Sequence, residues 1–280
     1  VGRCIKWAAG FGFPGFGMGG CSWLGDGNMR FSGVYVSLDF LKNRYTKKLA
    51  AQFFVLRKAV PRSFLAMKFL KGSGIEIGAL HNPVYLGPFA RVKYVDRMSA
   101  KDLINEYPEL KGLNIVDPDI IDNGERLTTI PLGSQDFIIA NHFIEHCEDP
   151  IRTIKGFMDR LKPHGVLYLA VPDKRYTFDK ERLSTSYEHL VEDHEKGPLQ
   201  SRKTHYLDWA TYLGHGLEPE TVARDLMKKQ YSIHFHVWTK EEFFEFIREM
   251  IKDYELPLEI LASTSVGDEA IFLLRKSMLQ

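Results

Sequence analysis

Cysteine is scarce: Cys4, Cys21 and Cys147 are the three in 280 residues, and they lie far apart. An odd count without close pairs excludes a disulfide framework and a cysteine-built zinc site. Such usage suits a reducing, cytoplasmic setting. No run of about 18 apolar residues occurs, so no membrane-spanning helix is expected. The first residues lack the ordered charged start, apolar middle and cleavage site of a signal peptide. Net charge is almost missing too: 37 Lys and Arg face 36 Asp and Glu, leaving +1. That balance excludes a protein-wide basic footprint, so no nucleic-acid partner is expected. No internal repeat is visible.

Material for a core is plentiful, with 44% apolar and 26% charged residues. Two local anomalies stand out. Residues 1–33 hold ten of the 23 glycines, with no helical or strand period, and are expected to be poorly ordered. The chain begins with Val1, and Met29 is a candidate start. Residues 34–71 form a second unit. Between 42 and 71 there are nine basic residues and no acid, a charge of +9, so the other 250 residues sum to −8. Leu49, Phe53, Leu56 and Val60 recur at helical spacing. This is a basic amphipathic helix, either packed on the domain or lying on an anionic membrane surface.

From residue 72 the pattern alternates strand and helix. Gly74–Gly78, Arg91–Val95, Leu113–Val116, Phe137–Ala140 and Val166–Val171 read as strands. Asp149-Pro150 caps a helix whose buried stripe is Ile151, Ile154, Met158 and Leu161, and Lys162-Pro163-His164-Gly165 stops it. Strands without polar alternation are buried on both faces, which implies a parallel sheet between helix layers. Thr239-Lys240-Glu241-Glu242 is a capping box before Phe243, Phe244, Ile247 and Ile251. Leu258–Thr264 and Ala270–Leu274 flank a turn at Val266-Gly267-Asp268 and form a terminal hairpin. Residues 174–239 are less regular and carry six of the ten histidines. An insertion at the strand C-terminal edge is where a substrate lid would sit.

The chemistry-bearing residues start at the first of these strands, Gly74-Ile75-Glu76-Ile77-Gly78-Ala79-Leu80-His81-Asn82-Pro83. An acid ends the strand and Gly78 opens the loop. Twenty residues after Glu76 comes Asp96, at the end of the next strand, where a carboxylate can accept both hydroxyls of a ribose. Further on come Ser134-Gln135-Asp136-Phe137-Ile138-Ile139, then Asn141-His142-Phe143-Ile144-Glu145-His146, then Leu161-Lys162-Pro163-His164-Gly165-Val166-Leu167. In this order the pieces resemble a class I S-adenosylmethionine (SAM)-dependent methyltransferase, close to the type 11 group. The likeness covers about 72–178 well and the last helix and hairpin more loosely. The loop has fewer glycines than is usual in that family.

The resemblance implies an α/β fold: a Rossmann-like, seven-stranded, mostly parallel sheet with helices on both faces and a terminal antiparallel hairpin. Residues 72–280 would be the SAM-binding domain, with a lid at about 174–239. It implies methyl transfer to oxygen or nitrogen of a small molecule or glycan. Glu76, Gly78, Ala79, His81, Asp96, Asp122, Asn141 and His142 would surround SAM, with Asp122 either at the adenine amine or capping a turn. A hydroxyl acceptor needs a base, and histidine suits neutral pH. His142 and His146, with Asp173 behind them, are the candidates. Three other readings compete. An NAD site needs glycines after the strand, whereas Gly72 and Gly74 precede it. His142-Phe143-Ile144-Glu145-His146 matches the H-x-x-E-H of zinc hydrolases, but it directly follows a buried strand, and no metal is expected. His234 and His236 read first as core or pocket residues. An inactive, methyltransferase-like binding module is the non-enzymatic alternative.

Overall fold

The structure is a computed structural model. It describes the backbone of strands 21–24, 28–31 and 34–37, and residues 62–107, 110–214 and 217–278 with their side chains. Strands β1 (Cys21–Leu24), β2 (Asn28–Phe31) and β3 (Val34–Ser37) pair antiparallel in sequence order. Two of these strands lie at the end of the glycine-rich stretch, where the sequence shows no strand period. Residues 1–20, and residues 42–61 of the expected basic helix, lie outside the described residues.

The main sheet has seven strands in the order β6-β5-β4-β7-β8-β10-β9. These are β4 (Gly72–Ile77), β5 (Ala90–Asp96), β6 (Ile120–Ile121), β7 (Gln135–Asn141), β8 (Leu161–Pro172), β9 (Leu258–Val266) and β10 (Glu269–Lys276). The first five are parallel, and β10 runs antiparallel to both β8 and β9. This is the sheet expected from sequence, hairpin included. Two strand boundaries differ. The third strand is Ile120–Ile121, not Leu113–Val116, which lies in the preceding loop. Strand β8 starts at Leu161, so the expected helix stop at 162–165 is already strand, with a register shift opposite Gln135.

The main sheet starts at central β4, moves outward through β5 and β6, then returns to β7 on β4's other side. Loops after β4 and β7 thus diverge, leaving a crevice at their C-terminal ends. Both faces of the central strands β7 and β8 are covered, which is why these two lack polar alternation. One face buries Ile75, Ile138 and Leu169 against helices α2 (Pro150–Arg160) and α6 (Lys240–Asp253). Asp149 accepts the Arg152 N–H at 2.8 Å, and Pro150 follows it, so α2 starts where the sequence says. The Thr239–Glu242 capping box of α6 is formed in both directions. Its buried face is Phe243, Phe246, Ile247 and Met250, rotated slightly from the expected stripe. The opposite sheet face buries Phe137, Ile139 and Tyr168 against Ala66 of the helical stretch 62–69 and Leu70 just after it. Each such apolar side chain contributes about 1.5–3 kcal/mol by leaving water.

Helix α1 (Ala100–Glu106) follows β5. The insertion folds as α3 (Tyr187–Lys196), α4 (Arg202–Leu213) and α5 (Pro219–Lys228), then an extended stretch over 231–237. Tyr206, Ala210, Ala223, Leu226, Ile233 and Phe235 give it a small core of its own.

Candidate active site

The loop after β4 is built around Gly78, whose φ of +64° favours glycine. A Cβ at that position would meet nothing within 4 Å, so the backbone borders open space. The Gly78 N–H donates to Val95 O at 2.9 Å, tying the loop to β5. Ala79 accepts the Asn82 N–H at 2.9 Å, closing a turn that leaves His81 exposed. Glu76 is buried, and both carboxylate oxygens lie 3.1 Å from the Val84 N–H. Burial raises its pKa to about 7, against the opposing pull of that N–H and of Arg62. Glu76 therefore fixes the far end of the loop from within.

Asp96 ends β5 half-buried, with Oδ1 accepting the Arg97 N–H at 2.7 Å. Burial raises its pKa. Asp122 directly follows β6. Its carboxylate takes hydrogen bonds from Asn123 N–H, Thr128 Oγ1, and Thr129 N–H and Oγ1, at 2.7–3.0 Å. Burial opposes ionisation, but these donors hold its pKa below the usual range. That geometry is the turn-capping role.

Asn141 and His142 leave β7 at the crevice. The Asn141 Oδ1 and Nδ2 atoms are buried and have no hydrogen-bond partner in the protein. Such orphans are uncommon and point to a missing ligand. His142 adopts φ +49° and leaves 31% of its side chain exposed. Its Nε2 lies 2.8 Å from Glu269 Oε2, and its Nδ1 lies 3.5 Å from Glu145 Oε1. Burial alone would lower the imidazole pKa, but Glu145 and Glu269 more than offset it and push it up to about 9. Glu269 is fully buried and also accepts from Arg62, whose Nε is 2.6 Å from Oε1. Burial opposes its charge, yet His142 and Arg62 bring its pKa down to about 2. Arg62, His142 and Glu269 thus form a charged triad, with Glu145 beside it.

The other two expected catalytic groups do not join it. The His146 Nδ1–H donates to Ile233 O at 2.9 Å, facing the insertion, and burial lowers its pKa. Asp173 binds Arg175 through Nε at 2.9 Å and Nη2 at 2.6 Å, and accepts the Lys240 N–H at 3.3 Å. Burial raises the Asp173 pKa, but Arg175 brings it down overall. Glu269 and Glu145 occupy the place behind His142 that the sequence reading gives to Asp173. Sequence reasoning missed Glu269 and Arg62 because 207 residues separate them and no local pattern pairs them. Glu145 stood in view, inside the H-x-x-E-H pentad.

That pentad is not an α-helix. Only Ile144–His146 makes a 3₁₀ turn, and His142 and His146 face different neighbours. The zinc-hydrolase reading therefore lacks its shared ligand face.

A family model described as a methyltransferase domain matches residues 56–212, more than half of the chain. The chain belongs to the methyltransferase domain family. The family's methyl donor is S-adenosyl-L-methionine, and this methyltransferase carries the crevice expected for it at the ends of β4, β5 and β7. No curated protein matches the methyltransferase. It is similar to a SAM-dependent methyltransferase from Aquifex aeolicus, at 13% identity and TM-score 0.41 over 79% of this chain and 90% of that one. A putative methyltransferase of Haloferax volcanii, solved with the Trm112 activator, shares 12% identity at TM-score 0.46, over 86% and 98%. A possible histamine N-methyltransferase from Thermotoga maritima shares 14% at TM-score 0.42, over 84% and 97%. These scores lie below 0.5, so membership rests on the family match. Among the described residues, no helix is long and apolar enough to cross a membrane.

Proposed function

We propose that this methyltransferase transfers a methyl group to an oxygen or nitrogen of a small molecule or glycan. The observation that carries the reading is the cradle: open space at Gly78, Asp96 at the next strand end, and an orphaned Asn141 amide. SAM supplies an activated methyl group on its sulfonium. Asp96 receives the ribose hydroxyls, and Gly78 with Ala79 lets the cofactor pass close to the backbone. The Asn141 amide meets the amino-acid end, and Glu76 holds the loop through Val84. His81 lies at the loop's exposed edge. Asp122 acts through the turn it caps, bordering the adenine.

A hydroxyl acceptor must lose a proton, and His142 is the residue we assign to take it. Its Nε2 is engaged by Glu269, so the loosely held Nδ1 is the accepting atom. With a pKa raised to about 9, little of it is neutral at pH 7, so turnover should climb with pH. His146 and Asp173 act as positioning residues, the first on the insertion and the second on α6. The insertion excludes water over the crevice. Calorimetry with SAM and S-adenosylhomocysteine tests the reading. Binding of both in the wild type, lost in Asp96→Ala, is expected. No binding of either would leave an inactive, methyltransferase-like module instead. An unchanged rate in a folded His142→Ala variant would remove His142 from proton transfer.

A further inference from the structure

Four ligating groups meet inside the insertion, away from the triad. His189 and Asp193 stand one turn apart on α3 and so share a face. His205 comes from the first turns of α4, and His236 from the extended stretch before α6. His189 Nε2 lies 3.2 Å from His205 Nε2, and each lies 3.3 Å from Asp193 Oδ2. His236 Nε2 is 3.8 Å from the same oxygen. One atom from each residue falls within 4.8 Å of all the others.

These separations have a specific meaning. Four ligands at about 2.0–2.2 Å from a tetrahedral zinc ion stand about 3.3–3.6 Å apart. The four atoms already lie near those edges. Without a cation the arrangement is awkward. Two Nε2 atoms facing each other can share only one proton between them. Both ring nitrogens of His236 lack a hydrogen-bond partner, although the residue is fully buried. The rings of His205 and His236 cross at 81°, and those of His189 and His205 at 72°, so the imidazoles splay around the meeting point.

We propose that His189, Asp193, His205 and His236 bind one divalent zinc ion, which fastens α3, α4 and the 231–237 stretch together. From sequence no metal is expected, because the cysteines are sparse and the H-x-x-E-H pentad follows a buried strand; the four ligands here are scattered over 189–236. Four protein ligands leave no open position, so the site is structural. The Ser201 hydroxyl donates to Asp193 Oδ1 and orients it, as supporting groups do around metals. The site also reaches the methyl-transfer crevice. Phe235 N–H and His236 N–H both approach Glu145 O, at 2.8 and 3.4 Å. The ion would therefore steady the turn that sets Glu145 beside His142.

The test uses the full chain without a polyhistidine tag. Elemental analysis should find one zinc per chain, removable by a chelator and restored by equimolar zinc. Thermal unfolding of the wild type should shift upward on zinc addition to the stripped protein. Cobalt in place of zinc should give the intense visible bands of a tetrahedral centre. His189→Ala and His236→Ala should lose the metal, while exposed His164→Ala keeps it. Ser201→Ala should weaken zinc about 10-fold. Failure of the stripped wild type to bind equimolar zinc overturns the proposal, as does full zinc content in both ligand variants. The wild-type titration decides the matter even where a variant does not fold.

Discussion

Replacing Glu269 by Gln probes the charged triad most directly. The side chain keeps its shape and loses its charge. Arg62, only 7% exposed, then remains buried without a counter-charge. Breaking a buried pair from one side costs about 3–5 kcal/mol. A second effect follows at His142. Its pKa is raised to about 9 against a usual 6.5, by Glu145 and Glu269. Such a shift corresponds to at most about 3 kcal/mol of differential stabilisation. Its ring is partly exposed, so solvent screening brings that nearer to about 2 kcal/mol. Both pairs share the Glu269 carboxylate and are coupled through it, so the two figures are not summed. Urea unfolding at pH 6 should show the loss, and proton NMR of the imidazole should show the His142 midpoint falling toward its ordinary value. The double variant Arg62→Met/Glu269→Gln should recover much of the stability, because an apolar pair leaves no buried charge. A Glu269→Gln protein within about 0.5 kcal/mol of wild type, or an unmoved His142 midpoint, would refute the reasoning.

Other outcomes can be read in parallel. The His142 contribution to stability is complete below about pH 6.5 and is lost as pH rises through about 9. Glu269, with its pKa lowered to about 2, contributes fully above its unfolded value and loses that contribution as pH falls through about 2. Unfolding free energies across pH 2–9.5 should follow both limbs; a flat profile would contradict the triad. Gly78→Val should weaken S-adenosylhomocysteine at least about 10-fold by calorimetry, because it strains a φ of +64° and fills the open space. Asp173→Ala should destabilise the α6 junction by about 1–3 kcal/mol, since it leaves Arg175 with Glu241 alone and removes the acceptor of the Lys240 N–H. Flotation with anionic vesicles at low salt tests the basic segment; absence of binding would end the membrane reading of residues 42–71.

Much of the site could be read locally. Glu76 and Gly78 announce a strand followed by a turn that needs positive φ, and that signal spans three residues. Asp96 follows from a fixed spacing between two successive parallel strands. Asp149-Pro150 and Thr239–Glu242 define helix starts because capping is a contact between near neighbours. The third strand was misplaced because only two residues pair there, too few to show a period. Asp122 illustrates a subtler limit: the carboxylate is visible in the sequence, but only the folded loop shows the four donors that occupy it.

The sequence by itself determined the fold class, six of the seven main-sheet strands and the residues at the strand ends, since each depends on periodicity or on contacts a few residues long. Tertiary structure alone decided what surrounds His142. Glu269 arrives from the last strand, 127 residues away, and Arg62 from before the first strand of the main sheet. It also decided that histidines scattered over 189–236 meet at one carboxylate. Long-range meetings of this kind are set by how helices and strands pack, and a linear pattern carries no trace of them.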